Sequence, residues 1–240
     1  MLESLKVARV VPLALAFERF GLSAFFLYLA LGEAVQVRGH LAALQGGGAE
    51  GHLLEVARHL LIFLLDVLVG LLLLLGRRPL VPPQQWRDLV VPLFANFFYL
   101  GYNVTARLPA ALTANLWPET WRPALAQAAL GLGLVGFSLS LWAAAYLGRS
   151  FAVLVAVKPV VTGGPYRFVR HPIYLSYGFH AAALVCAYGS IAFAVLVAGH
   201  VALLLYRARL EEDLLVRSSA EYRAYRERTP FLLPGTVRSR

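Results

Sequence analysis

The sequence predicts an all-α fold, a polytopic membrane helix bundle of about six transmembrane helices. Composition is the first sign: 59% of the residues are hydrophobic, 15% are charged, and the mean hydropathy is +0.66. Soluble domains carry roughly 25% charged residues. The second sign is the recurrence of apolar runs close to the roughly 20 residues a spanning helix needs, separated by clusters of Gly, Pro and Arg.

The first run, 10–31, contains Glu18 and Arg19 and has no clear small-residue cleavage site. It therefore reads as a retained span and not as a cleavable signal peptide. The second is 53–75. The third, 88–106, carries Asn96 and Asn103, expected to hydrogen-bond between helices. In the fourth, 123–147, Gly131, Gly133 and Gly136 read as small-residue positions for close helix approach, since no strand precedes them as a phosphate loop would require. The last two, 172–188 and 190–206, are split by Tyr188-Gly189-Ser190 and predict a tight helical hairpin. His180 and His200 are placed to face each other across it, but two histidines without further ligands are a poor metal site, and no metal is assigned. The single cysteine, Cys186, excludes an internal disulfide and a cysteine-rich metal site.

Charge predicts the orientation. With a cytoplasmic N-terminus, six spans return the C-terminus to the same side. Lys6, Arg9 and the basic residues of 76–87, 148–170 and 207 onward then all lie on the cytoplasmic side, leaving Arg38, Arg107 and Arg122 outside. This is the asymmetry of the positive-inside rule. It accounts for the net charge of +9 through topology and attraction to anionic lipid headgroups, so the charge gives no sign of nucleic-acid binding. No internal repeat is visible, and helices that bury their faces mutually predict one domain over 1–240. Within it, 1–122 forms N-terminal spans without a recognisable motif and 123–240 is the motif-bearing half. Glu18-Arg19, Glu55-Arg58-His59 and Asp66 lie in or at the first two spans. Such groups are functional candidates by default, and here they are expected to form structural pairs across helices.

Motifs concentrate after residue 147. In "GGPYRFVRHPIY", Gly163 to Tyr174, the Gly163-Gly164-Pro165 run permits a tight turn that lets backbone approach a ligand closely. Proline disfavours helical geometry in the residue before it, so the fifth span is expected to begin at Pro172, with His171 at its N-terminus. Read alone, Arg167, Arg170 and His171 serve equally as headgroup anchors or as an anionic-ligand site. After the last span comes "RARLEEDLLVRSSAEYRAYRERTPFLLPG". Arg207 and Glu211 are spaced i,i+4 and share a helix face. The Glu211-Glu212 pair against an apolar bundle end is costly unless it meets a cation, and a positively charged ligand would satisfy it.

Together with "LGRSF" at 147–151, these two segments resemble the integral-membrane methyltransferases of the isoprenylcysteine carboxyl methyltransferase and phospholipid methyltransferase superfamily, over about Leu147 to Gly235. The resemblance implies a cytoplasmic-face pocket for S-adenosylmethionine built from the C-terminal half. It implies cofactor contacts at Val160, Val161, Gly164, Tyr166, Arg170, His171, Pro172, Ile173, Tyr174, Glu211 and Glu212, with Arg207 as the catalytic residue facing the acceptor. The sequence departs from the family pattern in two places: Ser176 replaces a glycine, and Ser219-Ala220 replace a Phe-Gly pair.

A sulfonium methyl is an activated electrophile, so alignment within about 3–3.5 Å is the protein's main task and no metal is required. An acceptor carboxylate is ionised at neutral pH and needs no general base; Arg207 would orient it. An amine acceptor must lose a proton, for which His171 is the nearest base. Three functions follow. The first is a methyltransferase acting on a lipidic or prenylated acceptor, with carboxyl O-methylation of an isoprenylcysteine-like acid ahead of phospholipid or amine N-methylation and thiol S-methylation. The second is an NADPH-dependent membrane reductase of the sterol type, which shares an HPxY-like turn. The third is a non-catalytic membrane partner. The Leu/Ala/Arg-rich composition points to a bacterial inner membrane, with membrane lipids as the surroundings and no nucleic-acid or metal partner expected. It leaves the oligomeric state open.

Overall fold

The structure, a computed structural model, is described for residues 2–45, 52–98, 101 and 108–233. Asn103, Arg107 and the Pro234-Gly235 end of the motif lie outside the described residues.

The chain is a helical membrane bundle. Its elements run α1 (Leu2–Ala16), a π-helical turn Phe17–Leu22, α2 (Ser23–Gln45), α3 (His52–Leu75), α4 (Trp86–Phe97), α5 (Ala110–Thr113), α6 (Arg122–Leu147), α7 (Pro172–Tyr188), α8 (Ile191–Ser218) and α9 (Ala220–Arg228). Among the described residues the sole β pairing is one antiparallel bridge, Val81 with Val157. Among the described residues four helical stretches are long and apolar enough to cross a membrane: Lys6–Gln45, His52–Leu75, Arg122–Ser150 and Ile191–Ser218. The other two expected spans are shorter. At 1.5 Å per residue the 12 residues of α4 extend about 18 Å and the 17 of α7 about 25 Å, against a hydrocarbon core of about 30 Å.

The π-helical turn falls inside the first apolar run. It places Glu18 and Leu22 on one buried side, at 6% and 0% exposure. Leu22 packs with Val69, Leu73 and Val153. Glu18 reaches the segment after α6: its Oε1 accepts from the backbone N–H groups of Val153 (2.6 Å) and Leu154 (2.8 Å). Arg19, expected to pair across helices, donates to the carbonyl of Leu74 on α3 at 3.0 Å. The loop 151–161 is held from the other side by Val155 N–H to Asp88 O (3.1 Å) and by the Val81–Val157 bridge. Val155 and Val157 pack with Leu210 and Leu214 of α8. The N-terminal helices thus fix the loop on which the C-terminal motifs sit.

The terminal hairpin forms as expected. Gly189 closes α7 at φ +54°, with Trp117 and Asn115 packed where a side chain would go. Ser190 Oγ then caps α8 by accepting from Phe193 N–H at 3.3 Å. In α6, Gly136 alone of the three glycines makes a close approach, to the His180 ring and the Ser176 backbone of α7; a side chain on Gly131 or Gly133 would meet nothing nearby. Ser176 fits its unusual position, fully buried, with Oγ 2.6 Å from both Ser140 Oγ and Ile173 O. His180 and His200 find separate partners, His180 against Phe137 and His200 against Phe98 and Ala95 O.

Candidate functional site

The motif residues converge at one end of α7 and α8. Gly164 takes φ +56° and lies under the Tyr146 ring, so the turn into Pro165 and Tyr166 needs glycine there. Gly163 is in extended geometry at φ −88°. α7 begins at Pro172 with His171 at its N-cap position. The C-terminal tail clamps this turn: Arg170 N–H donates to Pro230 O (2.8 Å) and His171 N–H to Phe231 O (3.2 Å).

Two cavities meet here. The smaller, about 140 Å³, is lined among others by Lys158, Val160, Val161, Arg170, Tyr222 and Tyr225. The larger, about 860 Å³, runs among the helices between apolar side chains, past Pro172, Ile173, Tyr174, Tyr177 and Arg207. Leu147, Ala152, Tyr166, His171 and Glu211 line both, so the two spaces share a wall at the motif residues.

At that junction Glu211 Oε1 accepts from Tyr174 Oη (2.6 Å) and from Arg207 Nε (3.2 Å). No partner meets its Oε2 among the described residues. Arg207 is 7% exposed; a second nitrogen donates to Val153 O at 2.8 Å, and its guanidinium stands 5.7 Å from the Tyr174 ring centre. Glu18, through Val153, therefore supports the arginine from below.

Glu212 behaves differently from Glu211. It lines neither cavity, and protein groups saturate its carboxylate: Arg170 Nε at 2.5 Å and NH2 at 3.3 Å, His171 Nε2 at 3.3 Å and Tyr222 Oη at 3.0 Å. The cation expected for it is supplied by Arg170, which also donates to Thr229 O. Gly164 likewise lines neither cavity. Of the other expected cofactor residues, Val160, Val161, Tyr166, Arg170, His171 and Glu211 line the smaller space, whereas Pro172, Ile173 and Tyr174 line the larger.

Residues to which the sequence reading gave no cofactor or acceptor role complete the site. Tyr222 and Tyr225, three apart on α9, close the smaller cavity; Tyr225 Oη donates to Tyr166 O at 2.5 Å. Burial pushes the Tyr225 phenol up to about 12. Burial also raises Tyr166 well above the usual phenol range, helped by the Glu211 charge. Both are neutral at physiological pH. Burial lowers the Lys158 ammonium from its ordinary value, opposed by the Glu18 carboxylate. Asn96 and His180 line the larger cavity, and Asn96 Nδ2 and His180 Nε2 are buried there without a hydrogen-bond partner among the described residues. The amide nitrogen of Asn96 thus does not make the interhelical bond expected of it. Buried polar atoms are rarely left so, and in a cavity they mark a place for a ligand's polar group.

Comparison with known proteins supports the same segment. Residues 129–217 match the isoprenylcysteine carboxyl methyltransferase family. The nickel-cobalt-cadmium resistance protein NccN of Alcaligenes xylosoxydans xylosoxydans is 34% identical over 139 residues, covering 55% of this chain and 61% of that protein. The cobalt-zinc-cadmium resistance protein CzcN of Cupriavidus metallidurans is 34% identical over 125 residues, covering 49% and 53%. The chain thus spans less than two thirds of the length of either relative. The family match takes in α7, most of α6 and all of α8 but its last residue, and so Tyr166, His171, Arg207 and Glu211. Residues 129–217 thus match the isoprenylcysteine carboxyl methyltransferase family, in line with the resemblance carried by the motifs of the same segment.

Proposed function

We propose that the protein is an S-adenosylmethionine-dependent methyltransferase whose acceptor is a lipidic molecule housed in the larger cavity, with a carboxylate of the isoprenylcysteine type as the leading acceptor group. The observation that carries the reading is the junction of a small polar space and a large apolar one at Glu211, Tyr166 and His171. The smaller cavity alone falls below the roughly 300–1,000 Å³ of small-molecule pockets, and the two together exceed its lower bound. The donor set suits the cofactor: Glu211 and the Tyr166 ring for its positive charge, and Lys158 for its carboxylate.

When bound, S-adenosylmethionine supplies a methyl group already activated by its positive sulfur. The residues then have three tasks. Glu211 holds a negative charge at the junction. Arg207, fixed by Glu211 and Val153 O, presents its guanidinium to an acceptor carboxylate, which is ionised and needs no general base. The apolar wall accommodates a hydrocarbon chain, and Asn96 and His180 offer it hydrogen-bonding partners part-way along. In this reading the site lies on the cytoplasmic face with both termini, where the Lys/Arg-rich segments collect. The names of the two relatives associate those proteins with metal resistance and give no acceptor.

The test is transfer of labelled methyl from S-adenosylmethionine to prenylcysteine analogues and to extracted membrane lipids by the detergent-purified full chain. We expect a labelled lipid-phase product that is base-labile, as a methyl ester is. We expect Arg207→Lys to raise KM for the acceptor more than it lowers kcat, because a point charge replaces a planar fork. A base-stable product moves the acceptor to the amine or thiol class, and absence of any product with every lipid fraction counts against the reading.

A further inference from the structure

The larger cavity has a second polar end. Glu33, Glu55 and Arg58 line it, and along α3 Glu55 lies fourteen residues before Val69, which packs beside Val153 at the Arg207 end. That places them about 20 Å from the methyltransferase junction. The surrounding cluster draws on facing positions of α2 and α3. Glu33 meets His59 and His40 meets His52, so the two helices run antiparallel with these residues in register. On α3, His52, Glu55 and His59 follow i, i+3, i+7 spacing and share one face.

We propose that His40, Glu55 and His59 form a binding site for a divalent transition-metal ion of the borderline class, such as Zn²⁺, Co²⁺ or Ni²⁺. The ligand atoms of these three side chains all lie within 4.8 Å of one another. Imidazole and carboxylate donors in this number suit that class of ion. His52 Nδ1, 3.0 Å from His40 Nδ1, is within reach as a fourth ligand.

A second observation supports the assignment. Glu33 Oε2 lies 2.6 Å from His59 Nδ1. A carboxylate only accepts, so Nδ1 carries the proton and Nε2 keeps a lone pair directed away from Glu33. This carboxylate–histidine arrangement is the one that orients metal-binding imidazoles and raises their basicity. The lone pair is met by a cation in this structure: Arg58 NH2 is 3.0 Å from His59 Nε2 and 2.7 Å from Glu55 Oε2. The guanidinium thus bridges two of the three proposed ligands, where a divalent ion would stand. The site is independent of the methyltransferase reading, because none of its residues lies at the Glu211 junction.

The test uses the full chain purified metal-free in detergent with a non-histidine affinity tag. Co²⁺ is titrated with visible absorption as the readout, and Zn²⁺ by calorimetry. We expect one Co²⁺ per chain with the d–d bands of imidazole ligation, displaced by Zn²⁺. His59→Asn and the more exposed His40→Asn should each weaken binding by about tenfold or more. Arg58→Gln should tighten it, since the competing cation is gone. Retained helicity by circular dichroism separates lost ligation from lost folding, and His40→Asn remains informative if His59→Asn misfolds. Binding unchanged in both histidine variants would overturn the proposal. So would absence of binding in both the wild type and Arg58→Gln, which would make the arginine the permanent counter-ion of Glu55.

Discussion

Two adjacent glutamates on one helical turn have opposite roles, and the difference lies in what each oxygen meets. Among the described residues Glu211 leaves one oxygen without a partner at the cavity junction, whereas Glu212 is enclosed by Arg170, His171 and Tyr222. Removing one partner of a buried ion pair typically costs about 3–5 kcal/mol, because the remaining charge stays buried and unpaired. Each carboxylate pairs with a buried arginine, but Glu212 also holds His171 and Tyr222, so Glu212→Ala is expected to lower the thermal midpoint of the purified protein more than Glu211→Ala; equal shifts would contradict this division. Sequence reasoning grouped the two because adjacency in sequence does not reveal which way each side chain faces. It placed Arg207 against Glu211 correctly because i,i+4 spacing on a helix fixes that contact whatever the tertiary fold. Glu18 was legible only as an ionisable residue in an apolar run. Its partners, two backbone N–H groups, lie some 135 positions away and carry no residue-type signature. Glu18→Ala leaves both donors buried and unsatisfied, and about 2–5 kcal/mol of stability should be lost. Denaturant unfolding in mixed micelles measures it, and a loss under 1 kcal/mol would show the loop to be held elsewhere.

At the scale of elements, the hairpin and the start of α7 were readable because Gly189, Ser190 and Pro172 act through local backbone chemistry. The length of α4 was not. Hydropathy continues past Phe97, but the helix holds Pro92 in its middle and begins at Trp86, where Asp88 reaches back and its Oδ2 accepts from the N–H groups of Gln84 and Gln85 at 2.9 Å each. Of the three glycines in α6 only Gly136 touches a neighbouring helix, since a glycine stripe specifies possible approach and the facing helix decides where it happens. Gly136→Ala is expected to push His180 into the larger cavity and separate α6 from α7, at about 1–3 kcal/mol. Acceptor KM should rise in the same variant while cofactor affinity holds; a cofactor affinity that fell equally would indicate damage to the whole site.

For the whole molecule, the division into a motif-free N-terminal half and a motif-bearing C-terminal half holds for sequence signals but not for structure. The larger cavity is walled by Phe25, Phe26, Leu65 and Asp66 from the first half and by Tyr174, Arg207 and Glu211 from the second. Apolar lining residues look like any other membrane-helix residues in a sequence, so the acceptor space was invisible until the helices were assembled. The methyltransferase reading requires that the junction of the two cavities at Glu211 bind S-adenosylmethionine. Calorimetric titration of S-adenosylmethionine into the detergent-purified full chain, with Glu211→Gln and NADPH as comparisons, tests it most directly. Saturable binding by the wild type that is lost in Glu211→Gln, with no binding of NADPH, is the predicted result. Binding of NADPH without S-adenosylmethionine would contradict the account and turn the site into that of a membrane reductase.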